Sequence, residues 1–459
     1  MERPSFLYFI GIGGIGMSGL ARYFRRQGAA VAGYDRTPSE LSGQLSLEGI
    51  EVSYDTGLSN IPATFRDADP AKVLVVRTPA VPMSNPLIAY WRQRGAPIKK
   101  RSEVLGLVTQ DRPTIAVAGT HGKTTVSTML AHLLMEGGVP SNAFLGGISA
   151  NYGTNVLLNS KAVVNVVEAD EYDRSFLALH PENAVVTAMD PDHLDIYGTP
   201  EAMYQAYADF AMLVTGRMLV HRRVLARLQA HASRLRDAVP YGIDEADGPH
   251  AANVAVKDGA YHFDLVAEGR VLPDLVLGMP GRHNVENAVA ASTMALHAGV
   301  KPEAVRKGLA TFRGVSRRFE LRARTEKITF IDDYAHHPTE LDACIRSVKE
   351  LYPGRKVTGI FQPHLYSRTR DLAADFAKSL GQLDELVLLE IYPAREEPIP
   401  GITSAWLLEQ VPMTNKALCT KEQLVPLLEG RDLSILLTLG AGDIDRLVPG
   451  IAAMVNKRG

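Results

Sequence analysis

Apolar and polar positions follow one another along the chain in a recurring order: a short buried-type strand, a glycine-containing turn, then a helix-period stretch. Phe6-Leu7-Tyr8-Phe9-Ile10 is such a strand, and a helix is expected from Met17 to about Gln27. A second strand, Ala29 to Tyr34, ends at Asp35. Further apolar runs predict strands over Lys72–Arg77, Thr114–Val117, Ala162–Val167, Ala184–Ala188, Ile328–Ile331, Val357–Phe361, Glu385–Ile391 and Leu433–Leu439. Helices are expected over Asn85–Arg94, over Val126–Glu136 with Gly137-Gly138 as a stop, up to about His297, and over Thr339–Leu351. Strands that alternate with helices argue for parallel sheets and an α/β fold.

Length changes this picture first. A chain of 459 residues is too long for one core, and about three domains are expected. Gln110-Asp111-Arg112-Pro113 is polar and proline-stopped, and the strand–helix pattern restarts after Gly314. The expected division is therefore 1–108, 109–313 and 314–459. A formal net charge of −2 gives no electrostatic case for nucleic acid or an anionic membrane surface. No apolar run reaches the roughly eighteen residues that span a bilayer. The two cysteines, Cys344 and Cys419, form no metal-type or disulfide-type pattern, which fits a reducing cytoplasm.

The turns carry the candidate chemistry. Gly11, Gly13, Gly14 and Gly16 form a Gly-x-Gly-x-x-Gly loop between strand and helix, with Asp35 about twenty residues on. Such a loop holds a pyrophosphate on backbone amides, and the acid accepts from a ribose hydroxyl, in a dinucleotide or in a UDP-sugar alike. Thr78, in the turn at the carboxyl end of another strand, lies on the edge where parallel sheets bind ligands. The second loop, Gly119-Thr120-His121-Gly122-Lys123-Thr124-Thr125, also stands between strand and helix. It offers amides to a polyphosphate, a lysine to the β/γ position and a hydroxyl to Mg²⁺, so ATP is the expected ligand.

Two acidic segments end strands of the same expected sheet: Glu168-Ala169-Asp170-Glu171-Tyr172-Asp173 and Asp190-Pro191-Asp192-His193-Leu194-Asp195. The four acids of the first segment offer hard oxygen ligands and His193 is a candidate ligand or acid/base group, although a solvated turn would also satisfy the charge pattern. His283, Asn284 and Asn287 follow Gly278-Met279-Pro280-Gly281 at a helix start, where amides read an adenine edge or simply cap the helix. Asp332-Asp333-Tyr334-Ala335-His336-His337-Pro338 and the basic loop with Arg368 and Arg370 are expected as sheet-edge loops.

In this order the motifs resemble those of the Mur ligases of peptidoglycan synthesis over essentially the whole chain. Gly146-Gly147-Ile148-Ser149, Asn151-Tyr152-Gly153-Thr154-Asn155, Arg317-Arg318-Phe319-Glu320 and Phe361-Gln362-Pro363-His364 complete the match. The resemblance implies a Rossmann-like N-terminal domain that binds a UDP-sugar, a central P-loop domain that binds ATP, and a Rossmann-like C-terminal domain that binds an amino acid. Members that add later residues carry a carbamylated lysine about fifteen residues beyond the Asp-His motif. Here no lysine lies between Lys161 and Lys257, as in the alanine-adding members. The competing member attaches a whole tripeptide to the same UDP-sugar. Two positions depart from the family's usual pattern: Thr78-Pro79 stands in place of a Ser pair, and Tyr172 in place of a Ser.

What the resemblance implies is an ATP-dependent ligase acting on UDP-N-acetylmuramate and L-alanine through an acyl phosphate, in the cytoplasm, as a monomer or weak homodimer. Lys123, Glu168, His193 and Arg318 would be catalytic, with Thr124, Glu168 and His193 on Mg²⁺. Asn284 and Asn287 would read adenine with His283 beside them, and Asp333 the ribose. Gly11, Gly13, Gly14, Gly16, Asp35 and Thr78 would hold the UDP moiety. Tyr334, His336 and Arg368 would hold L-alanine. Two other readings stand against it: a nicotinamide-dependent dehydrogenase, which leaves the Gly119–Thr125 loop unexplained, and a non-catalytic nucleotide sensor, which releases no phosphate.

Overall fold

The computed structural model describes residues 4–233, 235, 237–244, 247–257, 259–279, 281–394 and 396–458, with the Asp195 side chain outside that description. Pro280 and the Asp195 side chain of the quoted motifs thus lie outside the described residues. Three sheets carry the chain, each built largely of parallel strands with helices between them. Two compact units hold them: one comprises Met1–Ala252, Leu265–Leu272 and Asn287–Leu309, the other Asn253–Asp264, Pro273–Glu286 and Ala310–Gly459.

The first unit contains one sheet whole and seven strands of a ten-stranded second one. A five-stranded parallel sheet runs in the order Glu51–Ser53, Ala30–Tyr34, Phe6–Ile10, Val73–Arg77, Ile98–Lys100. Phe6–Ile10 sits at its centre because both of its faces are covered, and four of its five residues are buried. The second sheet places Thr114–Ala118, buried throughout, between Asn183–Val186 and Val164–Ala169. Ser141–Ser149 follows on one side and Met218–His221 with Ala238–Ile243 on the other, all parallel. Thr154–Leu157 closes the first edge antiparallel. Beyond the opposite edge, Ala238–Ile243 pairs with the start of His250–Lys257.

The other unit holds a six-stranded sheet in the order Glu320–Arg324, Thr329–Asp333, Ile435–Leu439, Val357–Phe361, Glu385–Leu388, Lys416–Leu418, antiparallel only at the first pair. Its core includes Phe330, Ile360, Val387, Leu436 and Ile451, all fully buried.

Several expected boundaries shift, each for a local reason. The helix after the second glycine loop starts at Lys123, not Val126, because Gly122 in the left-handed region ends the turn and lets Lys123 enter the first turn. Glu168 and Ala169 belong to the strand, not to the acidic turn. Asp332 and Asp333 likewise end the strand Thr329–Asp333, held in register by Leu439 and Thr438 opposite. The strand expected to reach Ile391 stops at Leu388. Among the described residues, no helix is long and apolar enough to cross a membrane.

Candidate functional site

The glycines of the first loop are fixed by different neighbours. Gly11 has φ +91°, and a Cβ there would lie 2.4 Å from Thr78 Cγ2. Thr78 thus covers the loop from the next strand's end, at the place the sequence suggested. The Gly11 and Ile12 amides donate to the Tyr34 carbonyl at 2.7 and 3.0 Å, and the Gly13 amide donates to Asp35 Oδ2 at 2.8 Å. Asp35 therefore spends one carboxylate oxygen closing the loop; the other accepts weakly from the Thr37 amide at 3.3 Å. The helix Ile15–Arg26 follows with no acid in its first turn and no side-chain cap, so its first amides remain open to an anion.

The second loop is tighter. Gly119 has φ +137°, and a Cβ there would stand 2.0 Å from Thr187 Oγ1. Thr187 in turn donates to the Ala118 carbonyl at 3.1 Å, and its hydroxyl also bonds the His121 carbonyl. The Thr120 hydroxyl accepts from the Asp190 amide at 3.0 Å, and His121 Nε2 lies 3.3 Å from Asp190 Oδ2. Thr124 and Thr125 are buried at the helix start, and Asn287 approaches the loop at Gly122, where a Cβ would lie 2.9 Å from its Oδ1.

Lys123 folds back over this loop. Its ammonium donates to the Gly119 carbonyl at 2.6 Å and to Glu171 Oε1 at 2.9 Å. Glu171 is 1% exposed. Burial by itself depresses a lysine, but the carboxylates of Glu171, Glu168 and Asp170 outweigh it and hold Lys123 above the ordinary lysine value. His193 stands on the other side of the same acid, Nε2 3.7 Å from Glu171 Oε1. It has φ +54°, a left-handed conformation that costs a non-glycine residue about 1 kcal/mol or more and recurs at functional turns. Tyr172 packs edge-on against its ring at 5.3 Å, so the aromatic residue at this departing position meets the histidine directly.

The four acids of the first acidic segment are thus not a solvated turn. Glu168 accepts from the Gly146 amide at 3.1 Å, and any side chain at 146 would strike its carboxylate. Asp170 pairs with Arg101 at 3.0 Å, Glu171 with Lys123 at 2.8 Å, and Asp173 with Lys100 at 2.8 Å. Among the described residues, no group of three or more His, Cys, Asp or Glu side chains is gathered tightly enough to hold a metal by itself.

The remaining candidates lie in the second unit, apart from Asn287. Asp333 accepts from the Phe319 amide and the Ala335 amide, both at 2.7 Å, so the residue expected on a ribose also holds two chain segments together. Burial pushes its carboxyl up to about 6, although Arg318 and those amides pull the other way. His283 is pushed down to about 4 by burial, against the pull of Glu286 and Glu340. Arg318 lies over the Tyr334 ring at 5.0 Å and 3.5 Å from Glu340 Oε1. His336 Nδ1 is 2.9 Å from the Tyr334 carbonyl and 3.2 Å from Glu340 Oε2. The rings of His336 and His364 are 5.9 Å apart, and His364 Nδ1 is 3.3 Å from Arg368 Nη1. Tyr334, His336 and Arg368 are therefore brought into one chain of contacts, with His364 as the link.

Three side chains central to this geometry were not singled out from the sequence. Glu171 was one acid among four, and only burial distinguishes it. His364 stands in the Phe361–His364 motif, but its partners His336 and Arg368 are set only by the fold. Glu340, in the first turn of the helix Pro338–Leu351, gathers His336 and Arg318 and carries no sequence signal beyond that of a helix-start acid.

Comparison with known proteins places this geometry in a family. The descriptions "Mur ligase family, catalytic domain", "Mur ligase middle domain" and "Mur ligase, glutamate ligase domain" match residues 7–112, 117–295 and 317–442. The UDP-N-acetylmuramate–L-alanine ligase of Parabacteroides distasonis is 48% identical over 462 residues, 100% of this chain and 99% of that one. Its counterpart in Porphyromonas gingivalis is 50% identical over 448 residues, 96% of this chain and 97% of that one. The crystal structure of the UDP-N-acetylmuramate–alanine ligase of Thermotoga maritima superposes with a TM-score of 0.82 at 27% identity, covering 99% of this chain and all of that one. A murein peptide ligase from Psychrobacter arcticus, 22% identical over 98% of each chain, shares the fold with a TM-score of 0.69. With three α/β domains matched end to end, the chain belongs to the Mur ligase family.

Proposed function

We propose that this protein joins L-alanine to the lactyl carboxylate of UDP-N-acetylmuramate with ATP, giving ADP and phosphate, as a step of peptidoglycan synthesis. The observation that carries the reading is the run of relatives 44–50% identical over 95–100% of the chain, each named for that ligation. The 162–256 stretch without lysine is consistent with it. We assign the three domains to 1–108 for the UDP-sugar, 109–313 for ATP and 314–459 for the amino acid, and place the reaction in the cytoplasm.

In the first step a lactyl carboxylate oxygen attacks the γ-phosphorus and ADP leaves, forming an acyl phosphate. In the second the amine of L-alanine attacks the acyl carbon, loses a proton, and phosphate departs with the carboxylate-derived oxygen. Phosphoryl transfer asks for positioning and charge neutralisation more than covalent help. Lys123 supplies the charge: its ammonium, held by Glu171 beside the loop, would turn to the β/γ oxygens. Arg318 would approach the γ-phosphate, Asn284 and Asn287 the adenine beside His283, and Asp333 the ribose. The Gly11–Gly16 loop, Asp35 and Thr78 would take the UDP moiety. Arg368, a planar fork suited to a carboxylate, would hold L-alanine with Tyr334 and His336.

The donor set fits Mg²⁺. Carboxylates crowd Lys123 strongly enough to raise its pKa, and Glu168 with the Thr124 hydroxyl offers hard oxygens. Glu168, Thr124 and His193 would hold the ion, with phosphate oxygens and water completing its shell. When bound, Mg²⁺ supplies neutralisation of charge on the phosphate oxygens.

The test is phosphate release from ATP and UDP-N-acetylmuramate, with L-alanine or the tripeptide L-Ala-γ-D-Glu-meso-diaminopimelate added in turn. Turnover with free L-alanine is the expected result. Turnover with the tripeptide alone would reassign the protein to a tripeptide-attaching ligase.

A further inference from the structure

The last glycine of the first loop, Gly16, is kept bare by an arginine from another helix. Gly16 has an ordinary backbone conformation, so no left-handed φ demands glycine there. What occupies the space is Arg101: a Cβ on Gly16 would lie 2.5 Å from Arg101 Nη1 and 2.9 Å from its Cδ. Arg101 begins the helix Arg101–Gln110, and its side chain is only 20% exposed. Its other terminal nitrogen, Nη2, is bonded to Asp170 Oδ2 at 3.0 Å. The guanidinium therefore touches two places at once: the first turn of Ile15–Arg26, whose amides face the diphosphate in the reading above, and the acidic segment that carries Glu168 and Glu171.

The first loop has no cation of its own. Between Tyr8 and Gly19 there is no lysine or arginine, and the charge bonded to the loop is the carboxylate of Asp35, 2.8 Å from the Gly13 amide. A diphosphate set on backbone amides beside a carboxylate needs a counter-charge, and Arg101 is the one that lies against the helix's first turn. Arginine also has donors to spare, five N–H groups in a fixed fork, so a bond to Asp170 leaves others for an anion.

We propose that Arg101 is a positioning residue that joins the two loops: it contacts the diphosphate of the UDP-sugar and, through Asp170, sets the acidic segment around Lys123. Binding of the sugar nucleotide would then firm up the acidic segment before ATP is used. This inference rests on the proposed UDP-sugar function of the first loop.

The experiment measures UDP-N-acetylmuramate binding by calorimetry without ATP, and the Mg²⁺ dependence of phosphate release, for the wild type, Arg101→Lys, Arg101→Ala, Gly16→Ala and Asp170→Asn. Loss of a charge-assisted contact is expected to weaken UDP-sugar binding roughly tenfold or more in Arg101→Ala and Gly16→Ala, with partial rescue in Arg101→Lys. Asp170→Asn is expected to bind the UDP-sugar within about twofold of wild type yet require several-fold more Mg²⁺, since it frees the acidic segment alone. Arg101→Ala that binds the UDP-sugar like the wild type overturns the proposal. So does Arg101→Ala whose loss of binding merely tracks a lowered melting temperature that Arg101→Lys shares. A wild type that fails to bind UDP-N-acetylmuramate contradicts the reading of the first loop itself, which separates the two failures.

Discussion

The two glycine loops look alike in sequence, each a turn between a central strand and a helix, but they are built on opposite principles. In the Gly11–Gly16 loop the counter-charge comes from outside, and the residue that closes the loop is an acid, Asp35, bonded to the Gly13 amide at 2.8 Å. In the Gly119–Lys123 loop the cation is part of the loop, and a carboxylate from a distant turn, Glu171, is buried against it. Strain is not what separates their glycines: Gly119 and Gly122 have φ +137° and +82° and stand against Thr187 and Asn287, and Gly11 has φ +91° against Thr78, whereas Gly14 has an ordinary φ and its nearest contact at 3.6 Å. A glycine motif therefore says little until what packs on each glycine is known.

That contrast can be broken most forcefully at Gly119. Gly119→Ala adds a Cβ into Thr187 on a backbone that L-residues rarely adopt, and a loss of about 3–5 kcal/mol in urea unfolding is expected. A loss below about 1 kcal/mol would show that the loop relaxes freely.

The next effect concerns the buried pair. Lys123→Ala removes the ammonium paired with Glu171, which is 1% exposed, and leaves it only His193 at 3.7 Å, which costs about 3 kcal/mol and abolishes phosphate release while leaving UDP-sugar binding nearly intact. Adding Glu171→Gln to Lys123→Ala should restore about half of that stability and none of the activity. Strictly additive stability losses would deny the coupling.

A smaller effect separates permanent charge from titrating charge. Lys123 is held above its ordinary value, so it stays charged and contributes no slope between pH 4 and 8. In the second unit two groups contribute slope there. His283, lowered to about 4 from 6.5, contributes stability that is full above about 6.5 and falls as pH drops toward 4. Asp333, raised to about 6 from 3.8, contributes stability that is full below about 3.8 and is lost as pH climbs toward 6. The two oppose each other, each with a limiting slope of about 1.4 kcal/mol per pH unit. Asp333→Asn should therefore make stability rise with pH from 4 to 6, and His283→Asn should make it fall. Parallel profiles in the two variants would contradict the assignment.

The smallest effect is the control. Gly14→Ala, with only ordinary van der Waals contacts and an ordinary φ, should change stability by less than about 1 kcal/mol, checked by the same unfolding series.

The α/β class and the strands beneath both loops were legible because buried parallel strands are apolar throughout, as in Thr114–Ala118. The edge strands were not: Glu51–Ser53, Ile98–Lys100 and Lys416–Leu418 are three residues each, half-exposed, and carry no period long enough to see. The strands His250–Lys257, Ala260–Ala267 and Arg270–Leu277 were not legible either, because only Ala260–Ala267 alternates buried and half-exposed residues regularly. Of the site, the glycines, Lys123 and Thr78 announce themselves by type and place. Glu171, Arg101 and Glu340 do not, because their meaning comes from burial and from partners 48, 69 and 22 residues away along the chain.

The central claim, that the lactyl carboxylate is activated by phosphorylation and then captured by L-alanine, is tested most directly by labelling that carboxylate with ¹⁸O. One label in the released phosphate and one in the new amide carbonyl, appearing only with ATP and L-alanine present, is the predicted result. Product formed with the lost label in water and none in the released phosphate would contradict it.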